Sequence, residues 1–310
     1  MRNFVLLALA CSIPLLFFPV ASSMAGEPPM MQLTFDPGFD ASPTWSPDGA
    51  RIAFTSGRNG LSNIWVIPAA GGQATRLSLI DDIQPDWSPD GAQIAFTSYR
   101  SGFSDIWVMP ASGEPPATNL TNTPSFTEED ADWSPDGTRI AYTSFRGSSW
   151  DIYVIPSTGG LAIPLTNDPG LDIGPAWSPD GSQIVFESDR SGDLELWVMS
   201  ASGGNPTQLT NNPEEDGMPA WSPDGSQIAF ASLRTGNSDI WVMPAAGGPA
   251  TQLTDHPSAD VTPKWSPDGT RIAFTTERSG QVGYPDIWIM TFEPVAVSPI
   301  TWGALKATFR

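Results

Sequence analysis

The pentapeptide Trp-Ser-Pro-Asp-Gly occurs six times, beginning at Trp45, Trp87, Trp133, Trp177, Trp221 and Trp265, at spacings of 42, 46, 44, 44 and 44 residues. Repetition at a near-fixed period constrains the fold more than any other feature, because each unit must bury its apolar face on its neighbours. Each copy runs on into an apolar triplet such as Ile52-Ala53-Phe54 or Ile184-Val185-Phe186, then an Ile64-Trp65-Val66-type run. A Gly-rich turn such as Gly71-Gly72 leads to a short Leu-Thr segment, as at Leu209-Thr210. These are short runs rich in Ile, Val, Phe, Trp and Thr between Gly, Pro, Asn and Asp, hence four strands per unit. No stretch after residue 25 has sustained helical periodicity. In Ser-Pro-Asp-Gly the proline presets φ for a type I turn and the glycine takes the left-handed position after it, which makes a tight hairpin. The pattern predicts an all-β, six-bladed β-propeller of four-stranded antiparallel blades.

The order of strands also predicts how the ring closes. Gln32-Leu33-Thr34 is a fourth-strand sequence lying before the first Trp-Ser-Pro-Asp-Gly, and the last copy ends at its third strand, Ile287-Trp288-Ile289. The N-terminal strand is therefore expected to complete the sixth blade and leave no open edge. The length of 310 residues then resolves into one domain over residues 27–293, with a tail of unassigned role at 294–310.

Composition removes several classes of function. The chain carries 34 Asp+Glu against 14 Lys+Arg, a net charge of −20. Nucleic acid and anionic lipid both require clustered Lys and Arg, so neither is an expected partner. With one His and one Cys (Cys11), a multi-histidine metal centre and an internal disulfide are excluded. Arg2 precedes an uncharged stretch, Phe4–Ala21, and Ser23 and Ala25 follow around Met24. A basic start, an apolar middle and a small-x-small end predict a signal peptide over residues 1–25. Pro14 and Pro19 argue against a membrane anchor, and Cys11 lies too early in the apolar run for a lipid attachment site. The expected location is periplasmic or secreted.

The repeat, written out as Leu-Thr, an Asp five residues before Trp-Ser-Pro-Asp-Gly, Ile-Ala-Phe, an Arg and Asp-Ile-Trp-Val-Met, resembles the WD-like repeat of the TolB-type propeller family. The resemblance covers all six units and implies a six-bladed ring. Because one propeller carries many functions, it implies less about activity. Through TolB's association with the peptidoglycan-associated lipoprotein, it points to an envelope or secreted protein as partner. TolB carries an α/β domain ahead of its blades; here a handful of residues separate the expected cleavage site from the first strand, so the expectation is a propeller alone, acting as a monomer.

Two rings of charge recur. A carboxylate stands five residues before every motif Trp: Asp40, Asp82, Glu128, Asp172, Asp216 and Asp260. An arginine stands thirteen residues after it: Arg58, Arg100, Arg146, Arg190, Arg234 and Arg278. Both positions belong to the end of the ring opposite the Ser-Pro-Asp-Gly turns. The arginines read as structural, stitching each blade to itself or its neighbour by bidentate bonds; the acids are also candidates for a ligand-facing ring at the channel mouth. The loops joining fourth strands to first strands hold 16 of the 34 acids and only one base, Lys264. Such loops keep an exported protein soluble or form a negative funnel for a basic partner. Calcium is conceivable on oxygen-rich loops, although none has the spacing of a dedicated calcium motif; no other cofactor is expected.

The tryptophans at fixed blade positions read as packing between blades; Trp150 and Trp302 fall outside the pattern, and Trp150 is expected in a loop as an exposed contact residue. Catalytic machinery is not expected. His256 is the only imidazole and reads as a solvated loop residue, no Gly-x-Ser-x-Gly elbow exists, and no span remains for a hydrolase domain. The reading is an exported non-catalytic scaffold that binds a protein through its acidic loop end. A carbohydrate- or cation-binding propeller, or a propeller hydrolase or lyase acting through paired carboxylates, is the alternative.

Overall fold

Each copy of the repeat folds into one antiparallel sheet, as seen in a computed structural model that describes residues 27–114, 116–280 and 283–292. The first blade runs Asp40–Trp45, Arg51–Ser56, Asn63–Pro68 and Thr75–Arg76, hydrogen-bonded in chain order from the inside of the ring outwards. The next four blades repeat this order, and the third has longer middle strands, Arg139–Arg146 and Ser149–Pro156. Six four-stranded sheets result, so the fold is the six-bladed propeller that the repeat predicts. The expected signal peptide, the tail at 294–310, Cys11 and Trp302 lie outside the described residues.

The sixth blade is made from both ends of the described chain. Asp260–Trp265, Arg271–Thr276 and Asp286–Thr291 supply three strands, and Met30–Gln32 supplies the outermost. It pairs antiparallel, Met31 opposite Ile289 and Gln32 opposite Trp288. The pairing lies two residues earlier than the Leu-Thr signature implies. Leu33 and Thr34 follow the strand and anchor it: the Leu33 amide donates to the Ile287 carbonyl at 2.8 Å, and the Ile287 amide donates to Thr34 Oγ1 at 2.9 Å. Leu33, 2% exposed, enters the cluster of Trp45, Ile52, Phe54, Ile287 and Ile289 between the first and sixth blades.

That cluster is typical of where the core lies. Trp87, Ile94, Phe96 and Met109 of the second blade pack on Ala53, Ile64 and Val66 of the first, and Trp177, Ile184, Phe186 and Met199 of the fourth pack on Ala141, Ile152 and Val154 of the third. The core is thus a set of interfaces between neighbouring sheets. Each sheet offers an aromatic-rich face (Trp, Ile, Phe) on one side and a smaller aliphatic one (Ala, Ile, Val in the first and third blades) on the other.

The Ser-Pro-Asp-Gly turns follow the expected chemistry. The Gly49 amide donates to the Ser46 carbonyl at 2.8 Å, Gly49 has φ of 67°, and Ser46 Oγ donates to Asp48 Oδ1 at 2.5 Å. The turns also touch around the ring. A Cβ on Gly91 would meet Pro47 of the preceding blade at 3.6 Å, and one on Gly181 would meet Pro135 at 3.3 Å. The near-identity of the six turns therefore has two causes, local turn geometry and contact with the next turn.

Deleting residues 27–36 removes a strand and the buried Leu33. The melting temperature should fall by on the order of 10 °C, since a domain of this size loses a few degrees per kcal/mol. A thermal melt with no shift would refute closure by the N-terminal strand.

Candidate functional site

The ring of six acids lies in the blades and not on the channel. The side chains of Asp40, Asp82, Glu128, Asp172, Asp216 and Asp260 have no exposed surface, and each meets the arginine of its own blade. The ion-pair distances are 2.7 Å for Arg58–Asp40, 2.6 Å for Arg100–Asp82, 3.1 Å for Arg146–Glu128, 2.7 Å for Arg190–Asp172 and 2.6 Å for Arg234–Asp216; Arg278 pairs with Asp260 in the same way. In the first, second, fourth and fifth blades the guanidinium also bonds a serine at the end of the second strand, as Arg100 Nε does with Ser98 Oγ at 2.8 Å, and lies over the third-strand tryptophan, 4.5 Å from Trp107 for Arg100. In the third blade Tyr153 replaces the tryptophan, 3.9 Å from Arg146. The channel-mouth placement of these acids is therefore corrected: each is enclosed with its own guanidinium, out of a ligand's reach.

What lines the channel is the middle of the innermost strands. In every blade the register slips between the residues four and one before the motif Trp, so that two residues, such as Ser42 and Pro43, oppose one, Phe54. This is a β-bulge. Its first residue has positive φ in all six blades: Ser42, Gln84, Asp130, Gly174, Met218 and Thr262, between 51° and 59°. A left-handed backbone at Thr262, which is β-branched, is costly and must be imposed by the ring. The bulges wall a cavity of about 270 Å³ together with five prolines, Asp86, Asp132, Lys264 and Glu187.

Four carboxylates and one ammonium therefore share this space. Lys264 crosses from the sixth blade towards the third, with Nζ 3.6 Å from Asp132 Oδ1. Asp132 also accepts from the Trp177 amide at 2.8 Å, and Asp86 accepts from the Trp133 amide at 3.0 Å and from Thr44 Oγ1 at 3.1 Å. Burial and the neighbouring Asp132 charge push the Asp86 carboxyl up to about 7, against the pull of Lys264. Burial, helped by the Glu129 charge, pushes Asp130 up to about 6. The Lys264 side chain is 35% exposed, and its pKa rises because the attraction of Asp132 and Asp86 outweighs burial.

Glu187 stands where four of the other blades have threonine: Thr55, Thr97, Thr143 and Thr275. Thr55 and Thr143 use that hydroxyl to accept the bulge amide of the next blade, from Gln84 at 2.9 Å and Gly174 at 3.0 Å. Glu187 Oε1 does the same for Met218 at 2.8 Å. The longer side chain fits because its neighbours are glycines: a Cβ on Gly174 would lie 2.7 Å from Oε1, and one on Gly217 2.6 Å from Oε2. Glu187 is 9% exposed, and burial, with Asp130 and Glu215 adding repulsion, pushes its carboxyl up to about 8.

Other expected residues fall as follows. His256 is half-buried in its loop, its Nδ1 accepting the Ser258 amide at 3.1 Å. Trp150 is not a loop residue: it begins the lengthened strand Ser149–Pro156, half-buried against Phe145 at 5.3 Å. Among the described residues no three His, Cys, Asp or Glu side chains are grouped to hold a metal ion. Asp86, Asp130 and Asp132 were counted from sequence among the loop acids, and neither they nor Glu187 were assigned to the channel wall. For the three aspartates the signal was present: the positions one and three before the motif Trp vary from copy to copy (Thr44, Asp86, Asp132, Ala176, Ala220, Lys264 at the first) while the residue between them is proline in all but the third copy.

A family model for the TolB beta propeller domain matches residues 83–216, and one for the Tricorn protease N-terminal beta propeller domain matches residues 191–291. Among solved structures, a protein of Agrobacterium tumefaciens assigned as TolB superposes with a TM-score of 0.68 at 24% identity, over 85% of this chain and 97% of that one. The chain is a TolB-like propeller. TolB from Acinetobacter baumannii aligns with this TolB-like propeller at 22% identity and a TM-score of 0.66, over 79% of this chain but 64% of its own length. An oligogalacturonate lyase of Vibrio parahaemolyticus has a TM-score of 0.61 at 13% identity, over 84% and 93% of the two chains. Likeness at these identities is likeness of fold. No curated protein matches the chain.

Two measurements check this geometry. Arg190→Met strands the buried Asp172 carboxylate and should cost about 3 kcal/mol of unfolding free energy, whereas Glu214→Gln on an exposed loop should change it by less than about 0.5 kcal/mol. For Glu187, Asp130 and Asp86 the folded pKa is raised above the unfolded one. Between those values the unfolded chain binds fewer protons, so stability should fall as pH rises from about 5 to about 9. Glu187→Gln should flatten the upper part of that decline in a series of thermal melts; an unaltered slope would refute the buried, protonated carboxyl.

Proposed function

We propose that this TolB-like propeller is an exported, non-catalytic binding protein that holds a basic segment of an envelope or secreted protein at its loop end. The observation that carries the reading is the continuity of negative charge from loops to channel. Asp81, Glu214, Glu215 and Asp255 are exposed on loops that enter the innermost strands of the second, fifth and sixth blades, and the middles of those strands line the same channel as Asp130. A rigid ring that points six variable loops at one opening suits recognition. Excess carboxylate around a concave opening speeds association with cationic partners and makes it salt-sensitive. TolB among the structural neighbours supports a protein partner. The lyase among them keeps an enzymatic reading in view, but His256 lies in a loop away from the channel lining and offers no base there.

Replacing Asp81, Glu214, Glu215 and Asp255 by their amides tests the proposal against a partner purified from envelope extract. Affinity should weaken about tenfold at low salt, and the dependence on salt should flatten. An unchanged salt response, or turnover of peptide or glycan substrates by the pure protein, would overturn it.

A further inference from the structure

The channel wall is not electrically uniform, and the imbalance has a location. Lys264 neutralises one side, where its ammonium lies between Asp132 and Asp86. Those two carboxylates are otherwise engaged by the Trp177 and Trp133 amides and Thr44. The other side, formed by the third, fourth and fifth blades, holds Asp130 and Glu187 with no lysine or arginine among the residues lining it. Asp130 is bonded by the side chains of Gln84 and Thr143. Glu187 is different: Oε1 accepts the Met218 amide, while Oε2 has no hydrogen-bond partner among the described residues, in a side chain more than nine-tenths buried that lines the cavity.

A carboxyl nine-tenths buried, with one oxygen unpartnered at the cavity wall, is expensive, and three positions of the repeat depart together to create it. Threonine would satisfy the Met218 amide at lower cost, as it does for the corresponding amides in other blades. Glutamate instead requires small residues at both Gly174 and Gly217, whose Cβ atoms would crowd its two oxygens. The surroundings are apolar: Pro175, Pro219 and Met218 stand beside the carboxyl, with Met218 44% exposed.

We propose that Glu187, cradled by Gly174 and Gly217 and flanked by Asp130, forms a pocket for a single primary ammonium or guanidinium group carried on an aliphatic stem. An ammonium has three donors to place, and Glu187 Oε2 with the outer lone pairs of Asp130 supplies acceptors on one side of it. Prolines and Met218 suit the methylene stem, as they do for any long basic side chain. Hard divalent cations want six or more oxygens, which this wall does not gather. The chain already holds one ammonium in the same channel by the same means, through Lys264. This deepens the reading under Proposed function, since the same pocket would take a lysine or arginine side chain from a basic partner or a free alkylamine.

The test needs no partner and so can fail independently of that reading. The full-length protein is titrated by calorimetry with N-acetyl-lysine methylamide, N-acetyl-arginine methylamide, butylamine and the neutral N-acetyl-norleucine methylamide. The cationic probes should bind and the norleucine probe should not. Tighter binding of the amino-acid amides than of butylamine identifies a side chain as the natural occupant, and the reverse identifies a free amine. Glu187→Gln and Glu187→Thr should each weaken binding about tenfold or more, and Gly217→Ala should weaken it by crowding Oε2. Glu114→Gln, on an exposed outer turn away from the channel, should leave it within about twofold. Because the ammonium favours the charged carboxylate, binding near neutral pH should release close to one proton, read from the buffer dependence of the heat. Equal binding of the norleucine probe, or full binding by both Glu187 variants, would overturn the proposal.

Discussion

The arginine clamp within each blade is the interaction on which the rest of the ring is arranged. In the first five blades one guanidinium joins the start of the innermost strand to the end of the second and covers the aromatic residue of the third, as Arg100 does with Asp82, Ser98 and Trp107; in the sixth, Arg278 holds Asp260 and Glu27. Its several donors and its flat face make this possible; a lysine has neither the fork nor the plane. With the strand tied at this end and by the Ser-Pro-Asp-Gly turn at the other, the mismatch in length falls in the middle. The bulge sits there in all six blades. Fixed ends and a displaced middle explain why the channel-lining residues vary although the unit around them hardly does.

Variation at those positions gives the site its character. Gln84, Asp130 and Met218 occupy equivalent bulges, so the wall is polar, anionic and apolar in turn without change in backbone. Asp130 and Lys264 stand three blades apart around the ring, and the charge of each reaches the other across the channel. Electrostatics here is a property of the assembled circle; no single blade contains it.

Much of this was legible in the sequence because it is local or strictly periodic. The turn follows from Pro-Asp-Gly, the closing strand from a Leu-Thr signature displaced to the front, and the arginine–carboxylate pair from constant spacing. Assigning the acids to the channel failed for a physical reason. Two-residue alternation places Asp40 and Ser42 on one face of a regular strand, and the bulge after Ala41 breaks that alternation. A positive φ at serine, glutamine or threonine has no sequence signature of the kind glycine gives. Trp150 was misplaced because the third blade extends its hairpin to a tight turn at Gly147, where the others keep a longer loop. Glu187 was visible as a lone departure from Ile-Ala-Phe-Thr-Ser, yet its meaning depended on two glycines in other strands.

The contact between blades is directional: a face of Trp, Ile and Phe meets a face of Ala, Ile and Val on the next sheet, and the Pro of one turn meets the Gly of the next. Every blade thus carries both halves of one head-to-tail interface. Such an interface is saturated only while the circle is shut. A chain cut or opened between two blades would expose one unfilled face of each kind, matched to each other and to those of any second opened copy. The outer strand Met30–Gln32, by holding the sixth sheet to the first, keeps the polymerisation-competent pair of faces occupied within a single molecule.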